Sequence, residues 1–227
     1  MKKYGTQYGG WALPANLDLG KDSILYSAGV GEDISFDILM SSYYDPHIVL
    51  IDPTQKAIKH WDEVQQYYTE NKEFTGNIQS DYLGKISGHT PNFGKIVYEN
   101  VGLWKEQGIL QFYKQTNPNY FSQTLIQEMY GDAYENVPVD TLQNIMKKHG
   151  HTSIDLLKLD IEGAEIEVLT QMLVDKIYPR YLCVEFDLWL KGKDVYGHTH
   201  RILQKLSDAG YKILFEESGN VTFQRHS

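Results

Sequence analysis

A single cysteine, Cys183, in 227 residues leaves no partner for an internal disulfide and removes every cysteine-rich zinc site. Its setting in YLCVEF marks it as a small buried hydrophobe rather than a nucleophile. No apolar run approaches the length of a membrane span, and Met1 to Gly10 lacks the hydrophobic segment of a secretion signal, so the sequence predicts a cytoplasmic protein with no membrane partner. Basic charge is scarce: 21 Lys and Arg stand against 30 Asp and Glu, a formal net charge of −9. With no block of like charge, nucleic acid is not an expected partner, and Lys147-Lys148 reads as a solvated helix end. There is no Gly-x-Ser-x-Gly elbow for acyl chemistry. The pairs His149/His151 and His198/His200 lack a third ligand at a recognisable spacing, so they read as surface or cap residues and no metal is expected.

What is present is an alternation of short apolar runs with helix-length amphipathic segments, the pattern of an α/β fold with a largely parallel sheet in one domain. SILYSA (23–28), HIVLID (47–52), KIVYENVGLW (95–104) and YLCVEFD read as strands. EDISFDILMSSYY, QKAIKHWDEVQQYYTEN and THRILQKLSDAG read as helices. GILQFYKQ (108–115) reads as a hairpin partner or a short added strand, and the polar stretch from Asn71 to Gly94 as a long loop. YKILFEE and NVTFQRH form a terminal strand pair turning through Ser218-Gly219. Residues 1–22 form an N-terminal extension, and Trp11 within it is expected to cover whatever ligand the sheet edge binds.

The first βα turn carries Gly29 and Gly31. A dinucleotide fingerprint requires a third small residue where Ile34 stands, which disfavours NAD, and a Walker loop requires Gly-Lys-Ser/Thr where Gly31-Glu32-Asp33 stands. Two carboxylates beside the loop repel a polyphosphate but attract an ammonium or sulfonium, which suits S-adenosylmethionine. Asp52, at the end of the next strand, is placed to accept from both ribose hydroxyls; Asp52-Pro53-Thr54 is also a sound helix cap.

IDLLKLDIEGAE (154–165) is the more unusual stretch. Asp160, Glu162 and Glu165 crowd the end of a strand and the first turn of a helix, and Glu185 ends the following strand on the same sheet edge. Carboxylates so placed are candidates for a general base toward an acceptor hydroxyl, with Asp160 and Glu162 foremost and Glu185 third. Lys158 interrupts an apolar strand and is expected to pair structurally with a carboxylate such as Glu185.

VPVDTLQNIMKKHGHTSIDLLKLDIEGAEIEVL (137–169) resembles the hallmark segment of FkbM-type S-adenosylmethionine-dependent methyltransferases. YGGWALP, YSAGVGEDISFD, IDPT and CVEFD resemble other parts of that family, so the likeness runs through nearly the whole chain. It implies a class I methyltransferase fold, a Rossmann-like seven-stranded and mostly parallel sheet, with methyl transfer to a hydroxyl of a sugar, glycan or secondary metabolite. Carried over by position, Ser27, Ala28, Gly29, Gly31 and Asp33 embrace the methionine part. Asp52, with Pro53, holds the ribose, Asn100 and Val101 flank the adenine, and Asp160 and Glu162 lie under methyl and acceptor. Three departures stand out: Ser27 replaces a common acid, Asp187 a common histidine, and Ser122-Gln123-Thr124 a common Ser-His-Ser. Asn119-Tyr120-Phe121 and Tyr130 to Asn136 are expected to form a lid over a small-molecule or carbohydrate acceptor. A non-catalytic cofactor-binding module and an NAD-dependent oxidoreductase are the alternatives.

Overall fold

The structure is a computed structural model describing residues 1–114, 123–124, 134–187, 192, 194 and 197–226. Its main sheet joins β3 (Ile24–Ala28), β4 (His47–Ile51), β5 (Ile96–Glu99), β10 (Leu156–Leu159), β11 (Tyr181–Glu185), β12 (Tyr211–Glu217) and β13 (Asn220–Arg225). The spatial order of the seven strands is β12-β13-β11-β10-β3-β4-β5, parallel except for β13, which runs antiparallel to both neighbours. Leu156, Leu157 and Leu159, like the inner residues of β3 and β4, are buried because helices cover both faces, which explains why these strands are almost continuously apolar.

Side-chain alternation divides the core. Tyr26, Ala28, Leu157, Leu159, Leu182 and Val184 pack on one face with α4 (Leu142–His149), α5 (Glu165–Val174) and α6 (His198–Asp208). Leu25, Ile48, Leu50 and Cys183 pack on the other with α1 (Ser35–Tyr44), α2 (Gln55–Glu70) and the N-terminal strands. The Cys183 thiol is pushed up to about 12 by burial, which makes it inert at neutral pH. Thr54 caps α2 by accepting from the Ala57 amide at 3.3 Å, and Thr141 caps α4 in the same way at 3.1 Å. The terminal hairpin turns through Ser218 and Gly219, both at positive φ (50° and 83°), as a two-residue turn between twisted strands demands.

Four expectations need correction. KIVYENVGLW is not one strand: it breaks at Asn100-Val101 into β5 and β6 (Gly102–Leu103), which belong to different sheets. The second sheet, β6-β9-β7-β8, pairs β7 (Gly108–Lys114) with β9 (Tyr134–Asp140), so residues 134–136, expected in a lid, are strand; β8 is Gln123–Thr124. The rest of that expected lid, Asn119–Phe121 and residues 130–133, lies outside the described residues. Within 71–94 the loop carries a short helix, α3 (Tyr82–Ile86), fastened where Tyr82 meets His60 at 2.8 Å. Trp11 is core rather than cover, 4% exposed on β2 (Trp11–Leu13), which pairs with β1 (Lys2–Tyr4). The turn between β1 and β2 is what reaches the sheet edge instead.

Candidate active site

The chain leaves β3 toward β4 and β5, then returns to lay β10 on the other side of β3. The loops after β3 and β10 therefore diverge at the switch point of the sheet, where open α/β folds bind ligands. A cavity of about 450 Å³ opens there, large enough for a cofactor and part of an acceptor. Gly29, Gly31, Asp33, Asp52, Pro53, Asp160 and Glu162 line it, so the two sequence motifs share one site.

The glycine turn is held from three directions. The Gly29 amide donates to Ile51 O at 2.9 Å, the Gly31 amide to Asp52 Oδ2 at 3.0 Å, and the Asp160 amide to Ala28 O at 3.1 Å. Gly29 sits at φ 73°, and a Cβ there would lie 1.7 Å from Asp160 O, so the two loops touch backbone to backbone. Gly31 also has positive φ (53°), but among the described residues nothing lies within 4 Å of where its Cβ would stand. That open face borders the cavity. Gly31→Ala is expected to lower stability by only about 1–2 kcal/mol, the cost of the left-handed backbone. Its methyl would project into the cavity, so calorimetry should show S-adenosylhomocysteine binding weakened about tenfold or more, a loss worth about 1.4 kcal/mol per decade.

Asp52 serves loop and cavity together. Oδ1 accepts from the Thr54 amide (2.8 Å) and hydroxyl (2.7 Å), and Oδ2 accepts from Gly31. A carboxylate offers about four acceptor sites, so three are filled and one is left for a further donor. Burial raises its pKa, against the pull of these hydrogen bonds. Asp33 has both oxygens engaged: Oδ1 accepts from the Ser35 amide at 3.0 Å and Oδ2 from the Thr6 hydroxyl at 2.5 Å. It thereby clamps the N-terminal turn over the glycine loop. That turn, also held by Thr6 N to Ser35 Oγ at 2.9 Å, presents Tyr8 and Gly9 to the cavity, a contribution carried by no local sequence signal. Tyr8 is exposed over most of its surface, yet its hydroxyl faces acid: burial of that end first, then the charges of Asp160, Glu162, Glu185 and Asp33, push it up to about 12. Ser27 and Ala28 are buried within β3, behind the cavity. Asn100 is exposed and Val101 packs against the core, while Gly102 and Leu103 form the cavity wall at that edge.

The second loop is braced by a residue the sequence marked only as an acid. Glu165 is 1% exposed, and its Oε1 accepts from the Ile161 amide (3.0 Å) and the Gly163 amide (3.1 Å). This bracing sustains two consecutive left-handed residues, Glu162 (φ 57°) and Gly163 (φ 101°). Such a conformation at a non-glycine residue has to be enforced by its surroundings, and it sets Glu162 on the cavity wall. Burial, then the negative charge of Asp187, pushes Glu165 well up.

Carboxylate oxygens of Asp160, Glu185 and Asp187 all lie within 4.8 Å of one another, close enough to share a proton or to surround a hard cation. The hydrogen bond between Glu185 and Asp160 favours the proton: burial first, then the Asp160 charge and that bond, hold Glu185 far above the ordinary carboxylate range. Folded Glu185 keeps a proton at neutral pH that the unfolded chain releases. Its unfavourable effect on stability therefore grows as pH rises above the ordinary carboxylate value. Glu185→Gln should melt like the parent near pH 4 and several degrees higher at pH 8, as thermal melts across that range will read.

Lys158 is 3% exposed and does not pair with Glu185 as expected. Its Nζ donates to Gly29 O at 3.0 Å and lies 3.5 Å from Asp160 Oδ2. The histidines also differ from surface or cap positions in part. His149 Nε2 meets Glu99 Oε1 at 2.7 Å and His151 Nδ1 meets the Tyr26 hydroxyl at 2.9 Å, while His198 and His200 are exposed.

The FkbM methyltransferase domain model matches residues 12–213. The chain belongs to the FkbM methyltransferase family. This FkbM protein has the seven-stranded class I methyltransferase fold and takes S-adenosylmethionine as cofactor. Similar solved structures include a Clostridium thermocellum protein described as a candidate rRNA methylase, at TM-score 0.46 and 9% identity over 92% of this chain and 89% of that one. Another is the Methanococcus jannaschii fibrillarin pre-rRNA processing protein, at TM-score 0.41 and 10% identity over 92% and 67%. Human N-acetylserotonin methyltransferase in complex with its methyl donor follows at TM-score 0.35 and 12% identity over 93% and 50%. No curated protein matches the sequence of this FkbM methyltransferase. Among the described residues, no helix is long and apolar enough to cross a membrane.

The residues present fit the cofactor. Gly31 leaves bare backbone along the cavity, Asp52 keeps an acceptor site, and among the described lining residues five carboxylates outnumber the two ammonium groups of Lys56 and Lys158. An excess of negative charge suits a ligand whose sulfur is cationic.

Proposed function

We propose that this FkbM methyltransferase places a methyl group on a hydroxyl of an uncharged sugar, glycan or secondary metabolite, with the Asp160 carboxylate as general base. The observation that carries this reading is the position of Asp160. It lines the cavity, touches the glycine turn through its backbone, and is hydrogen-bonded to Glu185 through its side chain. When bound, S-adenosylmethionine supplies a methyl group made electrophilic by its sulfonium. Gly29, Gly31 and Asp33 hold the loop that would flank its methionine portion, Asp52 and Pro53 stand at the ribose, and Val101 backs the wall formed by Gly102 and Leu103.

The protein's own work is then alignment and proton removal. Alignment of acceptor oxygen and methyl supplies most of the rate, because the reaction needs little beyond an in-line approach. Asp160 accepts the hydroxyl proton; its neighbour Glu185, already protonated, does not compete for it. Glu162, fixed on the wall by its left-handed backbone, orients the acceptor by accepting from a second hydroxyl. The net negative lining works against phosphate-bearing acceptors, and the faces of Tyr8 and Phe112 offer apolar surface for a sugar ring.

Labelled S-adenosylmethionine with panels of neutral glycans, sugar nucleotides and RNA tests the reading, after calorimetry with S-adenosylhomocysteine has established binding. Label in neutral hydroxyl acceptors supports it; label confined to RNA, or found on nitrogen, overturns it. Binding with transfer to no acceptor favours the non-catalytic module.

A further inference from the structure

Lys158 is a charge in a place where charge is costly, and nothing in the hydroxyl-methylation reading uses it. It lies on the α1 face of the sheet, in register with Ser27 of β3 on one side and Cys183 of β11 on the other. Neither neighbour carries a charge at neutral pH, so the partners that justify burying the ammonium are elsewhere. They belong to two loops and a helix. The carbonyl of Gly29 accepts at 3.0 Å, the Asp160 carboxylate lies at 3.5 Å, and the carboxylate of Asp37 on α1, itself 1% exposed, is a further electrostatic partner. The first contact fixes the carbonyl of the turn that faces the cofactor. The second fixes the side chain proposed as base. Their backbones already meet, since a Cβ at Gly29 would lie 1.7 Å from Asp160 O.

We propose that Lys158 is a positioning residue that couples cofactor binding to catalysis, one ammonium setting both the glycine turn and the orientation of the Asp160 carboxylate. The proposal rests on the assignment of Asp160 as base. It separates Lys158 from an ordinary core ion pair, which would stabilise the fold without favouring either function. The arrangement also gives direction to the base: Oδ2 is drawn toward the ammonium beneath the loops, and with the hydrogen bond to Glu185 this fixes how the carboxylate is turned.

The test is a double-mutant cycle of Lys158→Met and Asp160→Asn, with S-adenosylhomocysteine affinity, kcat and acceptor KM read for each protein. Lys158→Met alone should weaken S-adenosylhomocysteine about tenfold, the value of one charge-assisted hydrogen bond. It should lower kcat about 100-fold, as expected for a misplaced base, with acceptor KM changed less than about twofold. In the Asp160→Asn background the same substitution should leave kcat nearly unchanged while still weakening the ligand, because Lys158 then has a loop to hold but no base to aim. Losses in kcat that multiply across the two substitutions, or unaltered ligand affinity in Lys158→Met, overturn the proposal. Should Lys158→Met fail to fold because Asp37 is left buried opposite no cation, the pair Lys158→Met/Asp37→Asn removes that charge and is measured against Asp37→Asn. The affinity arm requires no acceptor. A parent protein that binds the ligand but methylates no hydroxyl therefore refutes the base assignment and leaves the loop-holding half of the inference to be judged separately.

Discussion

Asp160→Asn should reduce kcat by about 10²- to 10⁴-fold, the range over which a positioned general base contributes, while the protein remains folded and able to bind. The geometry explains why these quantities separate. The backbone of Asp160, not its side chain, makes the close contact with Gly29 and the hydrogen bond to Ala28 O, so the loop keeps its shape when the carboxylate becomes an amide. The amide oxygen can still accept from protonated Glu185, but buried Lys158 loses one of its carboxylate partners, so thermal stability should hold or fall slightly. Affinity for S-adenosylhomocysteine, whose sulfur is neutral, should change little; affinity for the cationic donor should fall, since that charge loses a nearby carboxylate. Calorimetry with both ligands beside single-turnover kinetics distinguishes this from general damage. A variant with undiminished kcat would move the role of base to Glu162.

Gly29→Ala should be the most damaging single-methyl change in the site. Its Cβ would meet the backbone oxygen of Asp160 at 1.7 Å and the carbon at 2.6 Å, and neither is the end of a flexible side chain. The left-handed backbone alone costs about 1–2 kcal/mol and forced displacement of packed groups about 1–3 kcal/mol more. Together these predict a loss of about 3 kcal/mol and a Tm lower by about 6–12 °C for a chain of this size. S-adenosylhomocysteine binding should disappear, because the glycine turn cannot yield without moving the carbonyl held by Lys158. Comparison with Gly31→Ala, where the same methyl meets no atom of the described residues, separates crowding between loops from crowding of the ligand.

Much of this architecture could be read from local pattern, and its exceptions have physical causes. Runs such as LYSA and LLKL announce strands covered on both faces, and Ser218-Gly219 announces a hairpin, because burial and turn chemistry act over a few residues. The glycine turn and the acids Asp160 and Glu162, which border one cavity, stand out in the sequence for the same reason. β9 was hidden because YENVPVD carries a proline and alternates only weakly; its strand state comes from pairing with β7, about 26 residues away. Tyr8 carries no local signal and Trp11 does, because which residue reaches the cavity depends on the clamp from Thr6 to Asp33, 27 residues apart in sequence. Lys158 was visible as an anomaly, but its partners could not be named: the carbonyl it holds is 129 residues distant, and a main-chain acceptor leaves no residue type to search for. Glu165 looked like one acid among several until its burial and its two amide donors set it apart as the brace of the loop.

The burial of Cys183 has a practical reach beyond the core it fills. A maleimide dye has no native thiol to attack in the folded protein, so a cysteine introduced at Asn77, an exposed residue on the cavity rim, would be the sole point of attachment. A fluorophore there would report arrival and departure of the methyl donor in real time, without knowledge of which molecule receives the methyl group.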